Sequence, residues 1–309
     1  DLMGLIDRET MYLLEKTLHN IDPSILIYGE PWSALPPQLE EAQQMYKGAQ
    51  AGMNIAVFND HFRDTLKGDS DGTEKGFVSG AYQCENSVKR GVVAGINYNQ
   101  DISDFTLTPE ECVNYVSAHD NLTLWDKLEK SNSFTDEKIR IKMDRLAQAI
   151  IFTSQGIPFF QGGEEFLRTK YGNHNSYNAG DHINQLKWER KTRYFDTFKY
   201  YQGLIKLRRK HPAFRMSTAH EIREKLEFMD VPMNTVGFKL KDHANNDTWE
   251  TIIVLYNSNH DWAHFKLPQM RKWGIVVDDK RSGIRPFNVF NADNVNVPPI
   301  SAMVLCSPS

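Results

Sequence analysis

From the first residue to about residue 210, short apolar runs alternate with longer stretches in which apolar residues recur every three or four positions. The short runs are bounded by Gly, Pro, Asn and Asp and predict strands; the longer stretches predict amphipathic helices. Met11, Leu14 and Leu18 share one helical face, and Asp22-Pro23 ends that helix. The run Ile25 to Tyr28 then predicts a strand, punctuated by Gly29 and Pro31, with Glu30 at its end. Asn54 to Phe58, Val113 to Ser117 and Ile157 to Phe160 predict further strands, ending in Asn59-Asp60, Ala118-His119-Asp120-Asn121 and Gly162-Gly163-Glu164-Glu165. Ile139, Met143, Leu146 and Ile150 mark the helix between the last two. Such alternation is the signature of parallel β/α units, and every predicted strand here ends in polar residues.

Beyond His211-Pro212 the periodicity becomes alternating. Val236, Phe238 and Leu240 lie between Gly237, Lys239 and Lys241, while Thr251 to Tyr256 and Met303 to Cys306 predict buried strands. Asn257-Ser258-Asn259 and Ser282-Gly283 predict turns. A boundary near residue 211 is expected, with residues 1–211 forming an α/β unit and residues 212–309 an antiparallel β-sandwich.

Composition narrows the classes without choosing a function. With 309 residues, 40% hydrophobic and 25% charged, the chain has the make-up of globular material and room for one large and one smaller domain. A net charge of -4 and no dense basic stripe argue against a nucleic-acid or anionic-membrane surface; the run Lys206 to Lys210 fits a solvated helix end. No apolar stretch approaches the about 20 residues that a bilayer-spanning helix needs. Cys84, Cys112 and Cys306 are widely spread and fit no metal-ligand spacing, so the compartment stays open.

Three carboxylates fall at predicted strand ends: Asp1, Glu30 and Asp120. In barrels of parallel strands the active site forms at the strands' C-terminal ends. Retaining glycoside hydrolysis needs a carboxylate nucleophile and an acid/base carboxyl roughly 5 Å apart, and side chains on neighbouring parallel strands can meet that separation. Taken singly, Glu30 before a proline is an ordinary turn residue, and His119 an ordinary surface or structural histidine. Together they suggest more.

In order along the chain, Asp1-Leu2-Met3-Gly4, Tyr28-Gly29-Glu30-Pro31-Trp32, Phe58-Asn59-Asp60 and Val116-Ser117-Ala118-His119-Asp120-Asn121 resemble successive motifs of the α-amylase superfamily of glycoside hydrolases. Asp-Leu-Met-Gly, Gly-Glu-Pro-Trp, the run Glu165 to Lys170 and Asn175 to Asn178 resemble the type I pullulanases, which cut α-1,6 linkages in pullulan and limit dextrins. The resemblance implies the second half of a (β/α)8 TIM-type barrel followed by a C-terminal antiparallel β-sandwich. It implies Asp1 as nucleophile, Glu30 as general acid/base and Asp120 as the residue that holds the sugar hydroxyls in the distorted transition state. His119 would hydrogen-bond the sugar in the cleaved subsite, Trp32 would stack on a ring, and Asn59, Arg168, Asn178 and Asp181 would serve outer subsites. Glu164 and Glu165 are left out of the triad, because in that family their strand end mainly shapes the site. The aromatic stretch Tyr194 to Tyr201 has the spacing of a core helix.

An α-glucan is the expected substrate, with isoamylase-like or other α-glucan hydrolysis as the alternative and a catalytically inactive carbohydrate-binding relative as another class. The family's Asn-His motif on an earlier strand and its Arg shortly before the nucleophile, both expected upstream of Asp1, are not in this sequence. The upstream half of the same barrel is therefore the expected partner, without which raw strand edges would be exposed. Calcium is expected, if at all, in that upstream part; Asp69-Ser70-Asp71-Gly72 predicts a turn.

Overall fold

The computed structural model describes residues 1–33, 36 and 38–307. After an opening 3-10 turn, the first part runs α1 (Arg8–Ile21), β1 (Tyr28–Gly29), β2 (Ala56–Phe58), α2 (Asp60–Lys67), α3 (Glu85–Val92), β3 (Cys112–Asn114), α4 (Leu124–Ser131), α5 (Glu137–Thr153) and β4 (Ile157–Pro158). The short helices α6 (Asp181–Asn184) and α7 (Glu189–Arg193) lead into α8 (Phe195–Lys210) and α9 (Ala219–Lys225). Strands β5 (Leu226–Phe228), β6 (Thr235–Leu240), β7 (Ile252–Asn257), β8 (Ala263–Val277), β9 (Asn288–Val297) and β10 (Ser301–Cys306) complete the chain.

The first four strands form one parallel sheet in sequence order. Tyr28 pairs with Ala56, Val57 with Cys112 and Val113 with Ile157, so the C-terminal ends of all four strands emerge at one edge. β3 and β4 end before their apolar runs do, whereas β1 and β2 begin two or three residues into theirs. Side chains cap the intervening helices: Asp7 starts α1, Asn59 starts α2, Thr123 starts α4 and Asp136 starts α5, each accepting a backbone N–H two or three residues on. On α1 the expected inward face is only partly covered; Met11 is buried, but Leu13, Leu14 and Ile21 are exposed, as are Leu26 and Tyr28 beside the free edge of β1. Asp1 to Gly4, expected as a strand end, instead bends through a left-handed Leu2 at φ 54° into the 3-10 turn Met3–Leu5.

The C-terminal strands form one antiparallel sheet of six, in the order β5-β6-β7-β10-β8-β9. Two separate sandwich layers were the expectation, and a single hydrogen-bonded sheet is the finding. The reason lies in β8 and β9, which the alternation pattern does not reveal because Pro268 interrupts one and Asn residues dominate the other. The β8–β9 register shifts between Lys266 and Arg271, and this irregularity lets the start of β8 curl over the outer face. There Ala263, Phe265, Leu267 and Trp273 pack with Ile253, Leu255, Met303 and Leu305. The sheet thus covers its own outer side.

Its inner face shares one continuous core with the helices of the first part. Ile150 and Phe152 of α5 and Leu204 and Leu207 of α8 pack in the same cluster as Val254, Tyr256 and Val304. Polar bonds reinforce the junction: Thr153 and Tyr256 hydroxyls meet at 2.5 Å, and His211 pairs with Asp247 at 2.9 Å while stacking on Trp249. The buried Arg208 guanidinium donates to the carbonyls of Phe152, Ser154 and Gly156, the unpaired end of α5 and the turn after it. Desolvation pushes that guanidinium down to about 9.

Gly203 is what lets α8 approach the second sheet so closely. A Cβ there would lie 2.1 Å from Ser282 Oγ and 2.2 Å from its backbone oxygen, and Ser282 Oγ donates to the Tyr200 carbonyl at 2.5 Å. Gly203→Ala is therefore expected to destabilise the protein by about 1–3 kcal/mol, despite alanine's better helix propensity. Urea denaturation reads this directly; an unchanged or raised midpoint would show that the contact yields.

Candidate active site

Glu30 directly follows β1 and is buried, with only 4% of its surface exposed. Its Oε2 accepts the Leu2 backbone N–H at 3.2 Å, and its Oε1 lies 3.7 Å from His119 Nε2. His119 Nε2 is also 3.6 Å from Asp120 Oδ1. An oxygen of Asp1, an oxygen of Glu30 and a ring nitrogen of His119 all lie within 4.8 Å of one another. The fold thus gathers Asp1, Glu30, His119 and Asp120 from three segments far apart in sequence. The trio of Asp1, Glu30 and His119 is also spaced to share a cation, although exposed acidic groups commonly gather without one.

The local chain explains how Asp1 reaches Glu30. The Gly4 N–H donates to the Trp32 carbonyl at 3.1 Å, and a Cβ on Gly4 would sit 2.6 Å from the Trp32 carbonyl carbon. Only glycine allows this approach, which lays the first residues along the segment that carries Glu30.

A cavity of about 260 Å³ opens beside the carboxylates, lined by Glu30, Trp32, Phe58, Tyr115, Ser117 and Asp120 together with Asp60, Arg63 and Lys67. The aromatic wall is a packed unit, with Phe58 edge-on to Tyr115 at 4.8 Å and Trp32 tilted against Phe58 at 6.5 Å. Arg63 donates to the Tyr115 hydroxyl at 3.0 Å. Of the expected outer-subsite residues, Asn59 is buried, and its side chain caps α2 through Phe62 N–H while donating to Asn114 Oδ1. Arg168 clamps the carbonyls of Gly162 and Asn184. Asn178 and Asp181 are exposed on the segment entering α6, and among the described residues no hydrogen bond or ion pair joins them to Glu30, His119 or Asp120.

Sequence reasoning missed the groups that hold the loop carrying His119 and Asp120. Asp71 accepts the Asn121 side-chain amide at 2.7 Å and the Leu122 N–H at 3.0 Å, Lys67 donates to the Leu122 carbonyl at 3.2 Å, and Lys170 donates to the His119 carbonyl at 3.0 Å. Asn121 itself is left-handed at φ 62°, a conformation an asparagine tolerates well. Asp71 belongs to the stretch that reads as a turn, and a lone lysine carries no sequence signal at all. The turn has its own cation: the buried Lys127 ammonium donates to Asp69 Oδ1 and to the carbonyls of Gly72 and Glu74 at 2.7–3.1 Å.

Known proteins resemble this chain in sequence and in fold. A family profile described as "Pullulanase, all-beta domain" matches residues 222–281. Pullulanase of Bacillus subtilis (strain 168) is 33% identical over 279 residues, which are 90% of this chain and 39% of that protein. The chain is a homologue of the pullulanases. Pullulanase from Bacillus acidopullulyticus superposes with a TM-score of 0.95 at 47% identity, covering 99% of this chain and 37% of that one. A pullulanase from Paenibacillus barengoltzii, solved in complex with maltohexaose and alpha-cyclodextrin, gives 0.91 at 41% identity over 100% of this chain and 47% of that one. The chain thus spans less than half the length of these pullulanases.

Burial pushes the Lys67 ammonium down to about 7 and the buried Glu164 carboxyl, which lies behind the same loop, up to about 7. Between about pH 7 and Lys67's ordinary 10.5 the unfolded chain holds a proton on Lys67 that the folded chain has shed. Stability from this group therefore rises with pH across that window, by at most about 1.4 kcal/mol per pH unit. Lys67→Met is expected to flatten this rise relative to the unaltered protein in urea titrations at pH 7, 8 and 9. Equal slopes in the two proteins would count against a displaced Lys67.

Proposed function

We propose that this chain carries the catalytic carboxylates of a retaining glycoside hydrolase that cuts α-1,6-glucosidic branch linkages in pullulan and limit dextrins. The observation that carries the reading is the approach of Asp1, Glu30 and His119 to within 4.8 Å at the C-terminal edge of a parallel sheet, in a pullulanase homologue. Two carboxyls about 5 Å apart suit a double displacement, in which one attacks the anomeric carbon and the other serves first as acid and then as base.

In this mechanism the exposed Asp1 forms the covalent glycosyl-enzyme. Glu30, enclosed behind the Leu2 amide, protonates the departing glycosidic oxygen and then takes a proton from the incoming water. Asp120 and His119 hold the hydroxyls of the distorted sugar, and Asp120 places negative charge near the oxocarbenium-like centre. Trp32 offers an aromatic face to a glucose ring. Asn178, Asp181 and Arg168 stand as outer-subsite candidates through the segment they share, Asp181 and Arg168 being linked through α6. Asn59 contributes by starting α2 below the cavity.

Residues 1–211 are read as the second half of a (β/α)8 barrel and residues 212–309 as its C-terminal β-sandwich-like domain. The pullulanase all-beta match at 222–281 supports the second part. The four-stranded parallel sheet with an unpaired β1 edge and the exposed Leu13, Leu26 and Tyr28 support the first, with the upstream half of the barrel as the partner that covers them. The α-glucan substrate class rests on the same homology.

Glu30→Gln tests the assignment. It is expected to lower pullulan hydrolysis by about 10²–10⁴-fold while calorimetry shows maltotriose binding largely retained. Unchanged turnover would remove Glu30 from the role of acid. Product analysis tests the linkage: maltotriose released from pullulan supports the reading, whereas cleavage of glycogen branches with pullulan left intact would favour an isoamylase-like activity.

A further inference from the structure

Glu164 is a buried carboxylate that the proposed chemistry leaves unused, and it lies behind the loop that carries His119 and Asp120. It opens the 3-10 turn Glu164–Phe166 that follows β4. Its Oε1 accepts the Ser117 hydroxyl at 2.5 Å, and its Oε2 accepts the Gln161 backbone N–H at 2.8 Å. The Ser117 oxygen in turn accepts the Leu124 backbone N–H at 2.8 Å. Ser117 lies just beyond β3 and Leu124 is the first residue of α4, so one hydroxyl closes the two ends of the loop that presents His119 and Asp120.

A serine hydroxyl has one proton and can turn it in several directions. Its lone pair faces the Leu124 N–H only if the proton has a fixed acceptor elsewhere, and Glu164 is that acceptor. Two donors converge on Glu164, one on each carboxylate oxygen. A carboxylate accepts both, whereas a glutamine of the same shape would turn its own N–H₂ towards one of them. This explains a carboxyl group kept in a place where desolvation is costly. The charged and titratable groups that face it are Lys67 on α2, Asp144 on α5, Tyr201 on α8, and Glu165 and Arg168 on its own loop.

We propose that Glu164 is a positioning residue: by orienting the Ser117 hydroxyl it closes the Ser117–Leu124 loop and aims His119 and Asp120 at Glu30. The part that concerns catalysis rests on the glycosidase reading of the site. Misplacement of Asp120 by a fraction of an ångström would be felt in the transition state more than in ground-state binding.

The test compares Glu164→Gln, Ser117→Ala and the double variant in the full-length enzyme, reading pullulan hydrolysis together with hydrogen exchange at the Leu124 amide. Each single change is expected to lower kcat about tenfold or more with KM within about threefold, and to speed Leu124 exchange by about tenfold. Because both act through one hydroxyl, the double variant should be no worse than the poorer single. Losses that multiply in the double variant, or singles with unaltered kcat and exchange, would overturn the proposal. Ser117→Ala removes a single oxygen atom and decides the matter alone should Glu164→Gln fail to fold. If the unaltered enzyme leaves pullulan intact, the pullulan-cleaving reading fails separately, and Leu124 exchange in the variants still decides whether Glu164 closes the loop.

Discussion

The candidate site depends on a parallel register that is held by only two residue pairs between each pair of neighbouring strands. Ladders this short cannot set strand positions by themselves, since so few hydrogen bonds offset little chain entropy. What holds them is the material behind: Val57 and Ile55 pack against Met3 and Met45 on one side, and Val113 packs with Ala56, Phe58 and Tyr115 on the other. With the register fixed in this way, Glu30, Asn59 and the His119 loop leave the sheet at the same edge. A slip of one residue would turn Glu30 away from His119.

The same economy recurs in the loop after β3. From Ser117 to Leu124 it contributes almost no regular structure, and its anchors are charged side chains from elsewhere: Lys67, Asp71, Glu164 and Lys170. Charged groups make stronger and more directional hydrogen bonds than neutral ones, which suits a segment that must present two side chains accurately while lacking a ladder of its own. The cost is desolvation, visible in the displacement of both Lys67 and Glu164 to about 7.

Behind this edge, the antiparallel sheet completes the core rather than standing apart. Tyr256 and Val304 share a cluster with Ile150 and Leu204, and Arg208 gathers the carbonyls where α5 gives way to β4. The helix that precedes a site-bearing strand is therefore fixed from the C-terminal side of the chain. Gly203 marks the closest point of that junction.

The sequence by itself determined the four strands of the first sheet, their parallel nature and the residues at their ends, because periodicity and turn chemistry are local properties. Glu30 at the end of an apolar run and His119-Asp120 at the end of another were readable for that reason. Tertiary structure alone decided which strand ends meet, that Asn59 is spent on capping α2, and that six C-terminal strands make one curled sheet. Those outcomes turn on contacts between residues distant in the chain, such as Glu164 with Ser117 or Phe265 with Leu305, and neither member of such a pair carries a mark of the other. Where a lone Lys, Glu or Asp acts through burial, its role exists only once the fold has removed the water around it.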